Sequence, residues 1–146
     1  MISLPMTVSD GRKTAQFPTA ISSAFGFDNT VGYMERDTLR NGEGYWLKFG
    51  SAQSVLITGI PLSRDTIDVR AGWNLIGSIT SSINASVIVQ IPSGIVQSPF
   101  FEFNGSYTVA GSLEPAKGYW VKSSAAGQLV LSSGSSGPSE VARKSK

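Results

Sequence analysis

With 146 residues, 40% of them apolar and 10% aromatic, the chain suits one domain, or two small lobes sharing a core. Charged residues are only 15%, which excludes a coiled coil, and the absence of cysteine and histidine excludes disulfides, thiolate and imidazole chemistry, and zinc sites of the usual ligands. The net charge of +2 resides in the stretch from Gly134, where Arg143, Lys144 and Lys146 outnumber Glu140; the neutral remainder offers no electrostatic footprint for nucleic acid or an anionic membrane.

Sixteen glycines and abundant Ser, Thr and Val predict strands and turns throughout. The opening MISLPMTVSDGRK lacks the basic start and apolar run of a signal peptide, and no apolar stretch is long enough to cross a bilayer. Asp10–Thr14 reads as an exposed loop. FGFDNTVGY (25–33) follows as a hairpin with a long loop, then GEGYWLKFG (42–50) as a strand. Alternation in that strand puts Tyr45, Leu47 and Phe49 on one face and Trp46 with Lys48 on the other. Gly44 lets the chain leave a tight turn without a Cβ clash. Val55–Ile57 closes the first unit as a strand, and residues 60–71 connect as a strand or linker.

GWNLIGSI (72–79) is strand-like, and SINASVIVQIPSGIV (82–96) admits one helical turn, since Pro92 and Gly94 forbid more. FFEFNGSY (100–107) carries Asn104-Gly105, a tight-hairpin signal. LEPAKG (113–118) predicts a type I turn, with Pro115 second and Gly118 closing it. GYWVKSS and QLVLSS finish the second unit as two strands. The Gly/Ser-rich residues 134–146 are expected to form a flexible tail.

The two Gly-Tyr-Trp triplets stand 74 residues apart. At that spacing Ile2 meets Ile76, Gln16 meets Gln90, Pro18 meets Pro92, Ile21 meets Ile95, Phe27 meets Phe101, Tyr33 meets Tyr107, Leu39 meets Leu113 and Lys48 meets Lys122. One constant spacing from Ile2 to Ile57 predicts an internal duplication: a first β-repeat over 1–59, truncated at its start, and a second over 72–133. The matches are apolar, aromatic, Gly and Pro, whereas Glu35, Asp37, Arg40 and Glu43 meet unlike residues. That pattern predicts a repeated scaffold without a repeated active site. The expected fold is all-β, two pseudo-symmetric repeats forming a sandwich or barrel-like shared core.

The stretch from Gly72-Trp73-Asn74 through FFEFNGSYTVAGSLEPAKGYWVK resembles a β-repeat found near the C-terminal end of large secreted bacterial surface proteins. The resemblance spans nearly the whole chain except the tail. It implies an extracellular or cell-surface location within a larger protein, and it brings no catalytic residues. The chain departs from that pattern at Ala116, where the family often has Gly, and in lacking the first Gly-Trp-Asn.

Of the candidate site residues, Trp46, Trp73 and Trp120 with Tyr45 and Tyr119 offer stacking platforms for sugar rings, but large aromatics are buried on average, which favours a core role. Glu102 and Glu114 are the nearest thing to a glycosidase pair. Glu102, between two phenylalanines, is expected on the solvent face, and Glu114 in a turn. Asp65 and Asp68 supply too few oxygens for a calcium site. Gly44, Gly118, Gly72, Trp73 and Asn74 read as structural. The duplication of scaffold residues therefore favours a non-catalytic extracellular structural or adhesion module, with a carbohydrate-binding module as the alternative and a glycoside-cleaving enzyme third. Neither metal nor cofactor is expected, nor nucleic acid or membrane insertion. A glycan or surface protein is the expected partner. A homo-oligomer formed through the truncated first repeat is also expected.

Overall fold

A computed structural model describes residues 1–133, and these form an all-β molecule. The first half holds β1 (Met6–Thr7), one helical turn α1 (Lys13–Gln16), β2 (Ala24–Asp28) and β3 (Gly32–Arg36). Then follow β4 (Ile60–Pro61), β5 (Arg64–Val69), β6 (Gly72–Ile76), β7 (Ile83–Asn84), a 3-10 turn (Ala85–Val87) and β8 (Val89–Ile91). The chain continues with β9 (Phe100–Phe103), β10 (Tyr107–Ala110), β11 (Ser112–Leu113), β12 (Tyr119–Ser123) and β13 (Gly127–Ser132). A four-stranded sheet runs β10-β9-β12-β6 and a three-stranded sheet runs β5-β13-β8. The remaining strands pair two by two, β1 with β4, β2 with β3 and β7 with β11. Every pairing is antiparallel, and no sheet closes into a barrel.

The segment before Gly72 is more than a connection. β5 pairs along its whole length with β13, Val69 opposite Gly127 and Arg64 opposite Ser132, so it belongs to the second half's sheet. Where one shared core was expected, buried apolar side chains fall into two clusters. The larger holds Tyr119, Val121, Leu129, Leu131, Ile76 and their neighbours; the smaller holds Leu4, Phe17, Ala24, Leu39 and Tyr45. A polar seam joins the halves. Ser3 and Ser78, both fully buried, lie Oγ to Oγ at 3.1 Å, and the Lys117 carbonyl accepts from both hydroxyls at 2.7 and 3.1 Å. Each buried hydroxyl is thereby satisfied, which removes the cost of desolvating it unpaired.

Backbone bonds across the seam are reciprocal. Gly44 N–H donates to the Leu75 carbonyl at 3.1 Å, and Gly118 N–H donates to the Met1 carbonyl at 3.2 Å. Ser3 N–H donates to Ala116 and Gly77 N–H donates to Gly42, at 2.9 and 3.0 Å. Each member of one bond lies 74 residues from its counterpart in the other. The glycine of Gly-Tyr-Trp is required here, not at the turn: a Cβ on Gly44 would stand 2.7 Å from the Ile76 carbonyl oxygen, and one on Gly118 3.2 Å from Gly44 Cα. The tyrosines behind them point inward, fully buried, and their hydroxyls accept from the N–H of Arg40 at 2.9 Å and of Glu114 at 2.7 Å.

The constant spacing does not hold throughout. Tyr33 pairs with Phe27 as Tyr107 pairs with Phe103, and Phe25 bridges Trp46 as Phe101 pairs with Trp120. Phe101 therefore corresponds to Phe25, not to Phe27, because the first hairpin has two more loop residues. Ile21 likewise corresponds to Gln97: both N–H groups donate at 2.8 Å, to Lys48 and Lys122. Ile21 is exposed whereas Ile95 is buried, so their match was coincidence. Lys13 N–H donates to Asp37 as Ala85 N–H donates to Gly111, which shifts the spacing again and removes the Gln16–Gln90 match. It also gives Asp10–Thr14 a counterpart. In place of a plain loop, α1 stands where the 3-10 turn stands in the second half.

At LEPAKG the turn differs from expectation. Lys117 N–H closes it onto the Glu114 carbonyl at 3.4 Å, and Ala116 has φ 68°, the left-handed third residue of a type II turn. The corresponding Gly42 has φ 85°, without a side chain to strain it. The expected strand at Val55–Ile57 is absent, and Gly42–Gly50 makes only isolated bridges. Residues 134–146, expected as a flexible tail, lie outside the described residues.

Candidate functional site

Alternation along the two hairpins and the two Gly-Tyr-Trp segments turns one set of side chains outward. On β9, Phe100 is buried opposite Ala110, so Phe101 and Phe103 face the other way, beside Val109 and Tyr107 across the strand pair. On β2, Ala24 is buried while Phe25 and Phe27 face out, opposite Glu35 and Tyr33. Trp46 and Trp120 share this outer face, and Trp73 on β6 joins them opposite Lys122. Nine aromatic rings, including all three tryptophans, thus line one side of the molecule.

The rings cross between halves. Phe27 packs edge-on against Trp120 at 4.9 Å between centroids, and Phe103 packs edge-on against Trp46 at 5.1 Å. Each hairpin tip covers the other half's tryptophan, and each such contact adds ~0.5–1.5 kcal/mol beyond area burial. Trp120 is consequently only 9% exposed and Trp46 half-buried, while both indole N–H groups are buried without an acceptor. Between the rings runs an open groove of about 430 Å³ lined by Phe27, Trp73, Phe101, Tyr107 and Trp120. A second hollow of about 390 Å³ lies on Phe25, Tyr33 and Trp46, the counterparts of Phe101, Tyr107 and Trp120. Trp73 is 40% exposed and Tyr107 53%, so the groove has an accessible wall.

The other candidates are not assembled into a site. Tyr45 and Tyr119 lie inside, away from the tryptophans they adjoin in sequence. Burial raises the pKa of both hydroxyls, and for Tyr45 the hydrogen bond to Glu43 adds to it. Glu102 is the reverse of its expected placement. Its neighbours Phe101 and Phe103 take the outer face, leaving it half-buried on the inner side with the Lys117 ammonium 3.9 Å away. The Glu114 carboxylate accepts from the Ser112 and Ser82 hydroxyls, both at 2.6 Å, and these bonds hold its pKa low, the opposite of a poised general acid. Asp65 lies on the inner face of β5 beside Ile67, where burial raises its pKa, and Asp68 lies on the outer face. Among the described residues no group of three or more acidic side chains gathers to hold a metal. Asn74 ties the β5–β6 turn, accepting from Arg70 N–H at 2.9 Å and donating to the Arg70 and Gly72 carbonyls. Gly72 has φ 99°.

Sequence reasoning singled out the tryptophans but missed Phe25, Phe27, Tyr33, Phe101, Phe103 and Tyr107. The signal was there: aromatics at alternate positions in FGF and FEF, each facing a tyrosine across a hairpin. Comparison with protein-family models, with curated proteins and with solved structures finds no match. Among the described residues, no helix is long and apolar enough to cross a membrane.

Proposed function

We propose that the chain is a non-catalytic structural or adhesion module of a secreted or cell-surface bacterial protein, built from an internal repeat. Its outer aromatic face is the adhesive surface. The observation that carries this reading is the convergence of nine rings from both halves on one face, around an open and almost wholly apolar groove. Contiguous exposed apolar patches of this kind mark interaction sites. The reciprocal backbone bonds support a repeated scaffold, and the Gly-Trp-Asn and Gly-Tyr-Trp motifs support the extracellular setting through their resemblance to surface-protein repeats. The missing histidine and cysteine, with carboxylates placed apart from the groove, support a role without catalysis.

The favoured partner is a surface protein offering apolar side chains. A sugar would need hydrogen-bond partners for its hydroxyls, and the five groove residues carry few polar groups: the Tyr107 hydroxyl and the Trp73 indole N–H, that of Trp120 being buried. Carbohydrate binding remains a second reading because Trp73 is open enough to stack on a ring face.

Panning a peptide library against the chain should enrich aromatic or aliphatic segments. Their binding should vanish in Trp73→Ala/Tyr107→Ala at unchanged stability. A glycan array showing sugar binding lost in the same variant would hand the site to the carbohydrate reading; enrichment indifferent to the variant would contradict both.

A further inference from the structure

The aromatic groove has apolar walls, and the unpaired polar groups beside its tryptophans are donors. Lys122 lies two residues from Trp120 on β12 and opposite Trp73 on β6, so its side chain shares the outer face with both indoles. It is exposed, and among the described residues its ammonium meets no carboxylate within ion-pairing distance. Trp120, only 9% exposed, holds an indole N–H without an acceptor. The first half repeats both features at the 74-residue spacing: Lys48 is exposed and has no such carboxylate, and the indole N–H of Trp46 also lacks an acceptor. Ammonium and indole N–H groups can only donate. A partner that completes this face brings oxygen acceptors, and beside the lysine it brings negative charge.

The two hollows differ in their acids. Glu35 stands exposed across the strand pair from Phe25, whereas the residue across from Phe101 is Val109. The acids nearest in sequence to the larger groove's walls are engaged elsewhere: Asp28 faces Arg70 and Glu102 faces Lys117, each at 3.9 Å. The larger groove therefore carries an unanswered cation at its edge, while the smaller hollow has both signs. Ring angles narrow the shape of the occupant. Trp73 stands at 89° to Trp120 and 53° to Phe101, and Phe27 at 77° to Trp120. Such steep walls form a corner in place of a flat platform, which suits a side chain meeting one ring face-on and the next edge-on. An anionic membrane is recognised by clusters of cations, and one lysine beside the groove does not make a cluster.

We infer that the larger groove takes a short acidic segment of a partner protein, with an aromatic side chain between Trp73 and Trp120 and a neighbouring carboxylate on the Lys122 ammonium. The inference rests on the adhesive role proposed for the aromatic face and adds the partner's charge to it. The rings supply the anchor, and the lysine selects among apolar segments for those flanked by Asp or Glu.

The probes are blocked pentapeptides, acetyl-Ser-Glu-Phe-Glu-Ser-amide and its analogues with Gln or Lys in place of both Glu, titrated onto the full-length chain while its indole N–H NMR signals are followed. The Trp73 signal should shift saturably. The Glu peptide should bind at least about threefold tighter than the Gln peptide, as an exposed ion pair allows, and the Lys peptide weakest. Salt at about 1 M, where the screening length is about 3 Å, should narrow that order. Lys122→Gln should bring the Glu peptide down to the level of the Gln peptide, whereas Lys48→Gln, at the other hollow, should keep the order. Equal affinity for the Glu and Gln peptides, a preference for the Lys peptide, or equal sensitivity to the two lysines would overturn the inference and leave the aromatic face adhesive. No shift with any peptide at millimolar concentration would overturn both. A Trp73 shift produced only by phosphatidylserine vesicles, or only by a glucuronate-bearing oligosaccharide, would also overturn the inference, making a membrane or an acidic sugar the partner.

Discussion

Tyr45 and Tyr119 are both fully buried, accept the same backbone bond and precede tryptophans covered by the same kind of ring, yet the cores around them differ sharply. The buried apolar cluster that holds Tyr119 has fourteen members, and the one that holds Tyr45 has five. Composition does not explain the gap. Leu47, Val55, Leu56 and Ile57 are as apolar as Val121, Leu129, Val130 and Leu131, and only the latter set is buried. What differs is partners: β5 and the start of β6 lie over the second set, and no described residue lies over the first. The same sequence pattern makes a strand or an irregular stretch according to whether a neighbour is there to take its hydrogen bonds and cover its side chains. β-propensity behaves here as a tertiary property.

The sharpest way to break this comparison is a matched pair of core deletions. Leu131→Ala, at a fully buried site, should cost about 2–5 kcal/mol. Ile57→Ala at the corresponding position should cost under about 1 kcal/mol, since little surface is removed from contact there. Chemical denaturation of both variants measures this; equal losses would mean that the two halves are closed alike.

A smaller effect separates the two turns. Ala116 holds a left-handed conformation that Gly42 takes freely, at a cost of ~1–2 kcal/mol to a residue with a Cβ. Ala116→Gly should therefore raise stability by about 1 kcal/mol, whereas Gly42→Ala should lower it. The Gly42 change would also meet the Asp65 carboxylate at 3.1 Å. A stabilising Gly42→Ala would refute the equivalence of the turns.

The least effect, common to both halves, is alkaline. Burial raises the pKa of Tyr45 and Tyr119, so each contributes stability that is complete below the unfolded tyrosine value of about 10 and declines as pH rises past it. Tyr45→Phe and Tyr119→Phe should each flatten the decline of Tm between neutral and alkaline pH, at the cost of the acceptor for Arg40 or Glu114. An unchanged alkaline slope would remove burial as its cause.

Much of the fold was legible because its signals are local. Alternation placed Tyr45 and Tyr119 inward and the tryptophans opposite, Asn104-Gly105 marked a hairpin, and Pro92 with Gly94 limited helix to a single turn. The single spacing misled wherever a short insertion was compensated further on; Phe27 and Phe101 both follow an alternating aromatic pattern, and only hydrogen-bond register separates them. Glu102 was misplaced for a related reason. Alternation fixes which residues share a face and does not say which face is the core. Phe100, two residues before Glu102, is the buried member and decides it. The aromatic face was half legible: its tryptophans stood out, but that each is covered by the opposite half's phenylalanine depends on contacts between residues about 90 apart or closer to 60. The seam glycines were recognised for the wrong partner, since the clash they avoid comes from the other half.

Residue-resolved hydrogen exchange tests the central claim, that one scaffold is closed in the second half and open in the first, most directly. Amides of Val121, Leu129 and Leu131 should exchange at least about 10³-fold more slowly than those of Leu47, Val55 and Ile57, with Tyr45 and Tyr119 both protected. Equal protection of the two sets would show that the first half is closed too, and would contradict the account.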